Sequence, residues 1–180
     1  EALKLKPVAV ATVERNSVDV AKAVQTISAA APEAVVQISA YKSCAAYIRA
    51  ARKAGYGGGF YNVSFVGTQA LADELGKEGA GVVVSQVMPT PYTNAKGISR
   101  EFIEMVRKSN GAVSANFSSM EGYVAAKVMA EGLRRSSAKG GRDGLIAGLE
   151  SISNQSFGGF NVHFSPTDHV ASSFVELTRL

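Results

Sequence analysis

The fold is decided by "AVVQISAYKSCAAYIRAARKAGYGGGFYNVSFVG", residues 34–67. It opens on a continuous apolar run, residues 34–39, of strand length. Residues 42–54 then read as a helix, with Ala45, Ile48 and Ala51 on the inner side and Arg49, Arg52 and Lys53 on a solvated outer face. Gly55 follows as its C-cap. A second short run, "FYNVSF", completes a strand–helix–strand unit.

The alternation continues in both directions. "PVAVATV", residues 7–13, reads as a strand with a proline at its edge. Val20, Val24, Ile27 and Ala31 recur at helical spacing over residues 17–31, with Asn16 or Ser17 as cap and Pro32 as stop. Toward the C-terminus come "TQALADELG", a helix closed by Gly76, and "GVVVSQVM", another strand. Continuous apolar strands between helices predict a parallel sheet covered on both faces, and the class is α/β.

After Met88 the pattern changes. "PTPYTNAKG" reads as a crossover. Three helices follow, over residues 98–109, 117–136 and 142–150, the second with Tyr123, Ala126, Val128, Met129 and Leu133 on its apolar faces. "FGGFNVHFSPTDHVASSFVELTRL" returns to strand character, with "SPTDH" as the turn of a hairpin.

Composition excludes several classes. The 180 residues are 46% hydrophobic and 19% charged, which suits a folded globular chain. The net charge of +4 comes from scattered lysines and arginines, with no basic stripe carrying stacking aromatics, so no nucleic-acid partner is expected. A single cysteine forbids an intrachain disulfide. No apolar run approaches the roughly 20 residues that span a bilayer. The opening "EALKLKPVAV" reads as the tail of a helix running into a strand, and a processed chain or fragment is the expectation.

Each candidate for chemistry has a plainer reading. Gly55, Gly57, Gly58 and Gly59 follow a helix and precede a strand, the reverse of a dinucleotide loop, and read as a cap and a connecting loop. His163 and His169, six residues apart across a turn, match no usual metal spacing. Cys44 lies near a helix start, where a thiolate could be stabilised, but reads as a small buried hydrophobe. No nucleophile elbow occurs, and the carboxylates of "ADELG" and "EFIE" sit at surface spacing. No catalytic residue, metal or cofactor is expected.

Binding at the strand ends remains. In open α/β sheets ligands sit beyond the carboxyl ends of the strands. "ISAYKS" offers Ser39, Ala40, Tyr41 and Ser43; "VSFVGT" offers Ser64, Phe65 and Thr68; "VMPTPY" offers Tyr92. Hydroxyls and aromatic faces suit a small polar organic ligand. The same residues serve equally well as caps of the following helices.

The segments "VERNSVDVAKAVQTI", "AYKSCAAYIRAARKAGYGGGFYNVSFVGTQALADELGKEGAGVVVSQVMP", "EGYVAAKVMAEGLRR" and "FGGFNVHFSPTDHVASSFVELTRL" resemble, in order and over essentially the whole chain, the C-terminal half of periplasmic solute-binding proteins. The nearest group is the branched-chain amino-acid (Leu/Ile/Val) type that serves ABC transporters. The resemblance implies two α/β lobes joined by three crossovers and closing over a ligand. Residues 1–88 would then belong to the second lobe, 89–155 to a crossover and an incomplete first lobe, and 156–180 to a return crossover and hairpin of the second. It also implies a periplasmic, non-enzymatic role, with a small amino acid or carboxylic acid as ligand and a membrane permease as partner. A ligand-sensing receptor or regulatory module on the same fold is the alternative, and self-association of the chain would cover helices that lack their sheet.

The resemblance further implies ligand-binding roles for Tyr41, Ser64, Ala40, Phe65 and Tyr92. Relatives place an aromatic residue at the position of Tyr41. At the position of Ser64 they place an acidic residue, which pairs with the ligand's ammonium. A hydroxyl cannot supply that charge-assisted bond, worth roughly 1.5–3 kcal/mol. An organic acid without an amine is therefore an alternative ligand.

Overall fold

The computed structural model describes residues 5–93, 97–137 and 140–180. The helix tail expected at the extreme N-terminus falls largely on residues 1–4, outside the described residues. In chain order the elements are α1 (Ala21–Ala29), β1 (Ala34–Gln37), α2 (Tyr41–Lys53), β2 (Gly59–Val63), α3 (Thr68–Leu75), β3 (Val83–Gln86), α4 (Gly97–Lys108), α5 (Phe117–Arg135), α6 (Gly141–Glu150), β4 (Gln155–Phe157), β5 (Phe160–Val162) and β6 (Glu176–Arg179). They form two compact units, Glu1–Gln86 with Leu177–Leu180, and Val87–Glu176.

The first unit is built on a sheet of order β1-β2-β3-β6. β1, β2 and β3 are parallel, with Val35 opposite Phe60 and Gln37 opposite Asn62, and Asn62 in turn opposite Val84. β6 joins β3, with Gly81 N donating to Leu180 O and Leu180 N to Val82 O just before β3 begins; Gly81 has φ +85, a conformation that favours glycine. α1 packs on α2 and α2 on α3. Their inner faces meet alternate strand residues, Val35, Phe60, Val82 and Val84, in one core with Ile48 and Leu71. Burying Leu71 or Ile48 completely contributes about 1.5–3 kcal/mol each.

Two expectations are corrected here. Among the described residues cover on both faces is not found: Val36 (68% exposed), Ile38 (76%) and Tyr61 (42%) lie open, because α1, α2 and α3 pack on the face of Val35, Phe60 and Val84. Residues 7–13 form no strand. Ala11 and Val13 pack against the core, but among the described residues no ladder partner lies beyond β1, and a strand needs one.

α1 begins four residues after the expected start. Ser17 Oγ accepts from Asp19 N, and Asp19 Oδ1 accepts weakly from Ala21 N at 3.4 Å. α2 ends in a Schellman motif: Tyr56 N donates to Ala51 O and Gly55 N to Arg52 O, with Gly55 at φ +90. A Cβ on Gly58 would lie 2.4 Å from Glu33 O, so that position requires glycine. The basic face of α2 is more than a solvated surface. Arg49 binds Glu74 and Glu78, and Arg52 donates to the carbonyls of Glu78 and Ala80.

The second unit packs α4, α5 and the β4–β5 hairpin around Phe102, Met120, Val124, Ile152 and Phe160. Asn116 and Ser119 cap α5 reciprocally. The buried face of α5 is Phe117, Met120, Val124, Val128 and Gly132; Met129 and Leu133, expected on an apolar face, are 45% and 55% exposed. α6 crosses α5 closely at Gly132 and Gly148. The hairpin closes through Gly158 and Gly159, both at positive φ as a two-residue type I′ turn requires. "SPTDH" makes a second tight turn, with Ser165 N donating to Asp168 O, beyond the ladder expected to flank it.

Candidate functional site

Because β1, β2 and β3 run parallel, their carboxyl ends share one edge of the sheet. β1 leaves through Ile38, Ser39 and Ala40 into α2, whose first residue is Tyr41. β2 leaves through a 3₁₀ turn, Ser64–Val66, and Gly67 at φ +76 re-aims the chain into α3. The two exits are neighbours because their strands are register partners.

Ser64 is half-buried directly after Val63, and its carbonyl accepts from Gly67 N. Tyr41 is half-buried, leaning on the helix-side core, with Lys42 Nζ 5.9 Å from its ring centroid. Ala40 is exposed at the N-cap of α2, and Phe65 is 73% exposed. These four expected residues thus lie on two adjacent exits of one sheet. Tyr92 belongs to the second unit, where its ring meets Phe117 edge-on at 5.7 Å.

Polar side chains also line the covered side of these strand ends. Gln86 Nε2 donates to Thr68 Oγ1 at 2.8 Å in a buried pair. Ser43 Oγ donates to Ser17 O at 2.6 Å, bringing the segment before α1 against the start of α2. Gln37 Nε2 donates to Cys44 O at 3.4 Å, while its buried Oε1 has no protein partner. Asn62, 3% exposed, has neither amide atom partnered. Sequence reasoning missed Gln37, Asn62 and Lys42. The available signal was an inward register: Asn62 follows Phe60 by two residues and so shares its face.

Burial pushes the Cys44 thiol up to about 11, and Sγ donates to Ser39 O at 3.5 Å, so this cysteine is a protonated core residue at neutral pH. His169 Nε2 lies 3.0 Å from Glu150 Oε1 on an exposed surface, and the backbone N of His163 donates to Ala171 O. Among the described residues no three potential metal ligands cluster. A concavity of about 360 Å³ lies at the opposite, amino ends of β1 and β2, lined by Pro32, Glu33 and the Gly55–Gly58 loop, largely by backbone and small side chains.

The whole chain, residues 1–180, matches the model of a family described as periplasmic binding protein. It is similar to the solved structure of a possible leucine/isoleucine/valine-binding protein from Rhodopirellula baltica SH 1, at 28% identity and TM-score 0.87, over 93% of this chain and 46% of that one. A substrate-binding periplasmic protein from Ralstonia solanacearum matches at 28% identity and TM-score 0.81, over 91% and 47%. A branched-chain amino acid ABC transporter structure from Thermus thermophilus, with bound valine, shares the fold at 15% identity and TM-score 0.72, over 94% and 48%. The chain therefore spans about half the length of these structures. No curated protein matches.

Proposed function

Given that the chain belongs to the periplasmic binding protein family, we propose that it forms part of an extracytoplasmic solute-binding protein that captures an amino acid or organic acid for an ABC importer. The reading is supported by the sequence positions of Tyr41 and Ser64, which follow adjacent parallel strands at the edge where open α/β sheets hold ligands. An aromatic face and a hydroxyl bind a small polar molecule without transforming it. Capture is by closure around the ligand, and delivery is to a membrane permease. No described helix is long and apolar enough to cross a membrane.

A thermal-shift screen of amino acids and organic acids tests the proposal. A specific, saturable rise in melting temperature with a narrow set of small solutes is expected. A chain that no solute stabilises would overturn it. Tyr41→Ala should weaken the response of the solute found.

A further inference from the structure

The strand exits carry an uneven set of charges. Residues 38–43 and 64–68 contain no aspartate or glutamate and one cation, Lys42. Lys42 is exposed and its ammonium lies by the Tyr41 ring, so the charge is held at the β1 exit. The neighbouring segment before α1 does hold Glu14, Arg15 and Asp19. Glu14 and Arg15 are adjacent, exposed and of opposite sign, while Asp19 Oδ1 accepts from Ala21 N.

Backbone donors add to this cation. α2 and α3 both begin at this edge, and neither has a side-chain cap or an acidic residue in its first turn. By contrast, α5 is closed by its Asn116–Ser119 box. Helix starts without an acidic first turn favour negative charge. A separate observation points to the same place. The Asn62 amide, buried two residues before Ser64, lacks protein partners, and its register partner Gln37 reaches Cys44 O in the first turn of α2. Buried amides are normally satisfied, and Asn62 lies on the strand that leads to the Ser64 exit.

Resting on the solute-binding reading, we infer that this unit receives the carboxylate of its ligand and not an ammonium. Lys42, the leading amides of α2, and the Ser64 hydroxyl are the donors. Phe65 and Ile38, 73% and 76% exposed on the same two exits, offer apolar surface for a hydrocarbon body. The ligand class is a monocarboxylic acid with an apolar body, for which an amine is dispensable.

Calorimetric titration of the chain with three matched solutes tests this: 4-methylpentanoate, leucine and 3-methylbutylamine. The acid is expected to bind at least as tightly as leucine, and the amine to give no measurable binding. Lys42→Met should weaken the acid by about tenfold with an unchanged melting temperature, and Lys42→Arg should retain it. Binding that requires the amine, or an acid affinity unaffected by Lys42→Met, overturns the carboxylate assignment and leaves the solute-binding reading standing. If these three and every solute of the wider screen fail to bind, the solute-binding reading falls, and this inference with it.

Discussion

Asn62 stands opposite Gln37 across the β1–β2 ladder, with both of its buried amide atoms unpartnered by protein. Such a group weakens the fold relative to an apolar side chain of the same shape. Asn62→Leu is therefore expected to raise unfolding free energy by about 1 kcal/mol, read from denaturant midpoints. If the amide serves the ligand, the same variant binds solute more weakly; a variant that is less stable would contradict the assignment.

Ser64 sets a second test. Placing a carboxylate there supplies the partner that an ammonium lacks. Ser64→Asp should shift selectivity toward leucine over 4-methylpentanoate by about tenfold, measured as a ratio of dissociation constants. An unchanged ratio would place Ser64 outside the ligand's reach.

The Cys44 thiol is predicted to be inert to thiol reagents at pH 8 in the native protein and to react once denaturant is added. Its ionisation also links stability to alkaline pH. The folded thiol ionises near 11, above its ordinary 9.0, so the unfolded chain loses the proton first. Stability from this group is complete below pH 9 and falls between about 9 and 11; Cys44→Ala should remove that part of the decline.

At the α5–α6 crossing, a Cβ on Gly148 would lie 2.3 Å from Gly132 O. Backbone cannot yield as a flexible side chain does. Gly148→Ala should cost about 1–3 kcal/mol, read from thermal melts, whereas Gly122→Ala, with open space around it, should not destabilise.

Glu131 accepts from Arg135 Nε at 2.7 Å and lies 3.1 Å from Arg134 Nη2, and its carboxyl is held below the usual range chiefly by the Arg135 bond. The folded state therefore prefers the ionised form. That contribution is present above the ordinary carboxylate range and is lost as pH falls through the lowered value. Glu131→Gln should flatten the acid limb of the stability profile; an unaltered limb would deny the link.

Local periodicity made most helices legible. Ala45, Ile48 and Ala51 are fully or almost fully buried as their spacing required, and Gly55 caps α2 as its place predicted. What failed depended on neighbours. Residues 7–13 have strand composition but no strand beside them, and Met129 and Leu133 are apolar yet face outward. At the site, hydroxyl and aromatic residues could be read from the strand ends. Asn62 could not, since a polar residue at an inward strand position gains meaning only when its surroundings are known.

The pairing of β6 with β3 also fixes an order of events. Leu180 bonds to Gly81 and Val82, nearly a hundred residues earlier in the chain, and the whole of the second unit lies between them. During synthesis that intervening unit emerges before the last strand does. β3 thus keeps an open edge until β6 has followed the whole second unit out.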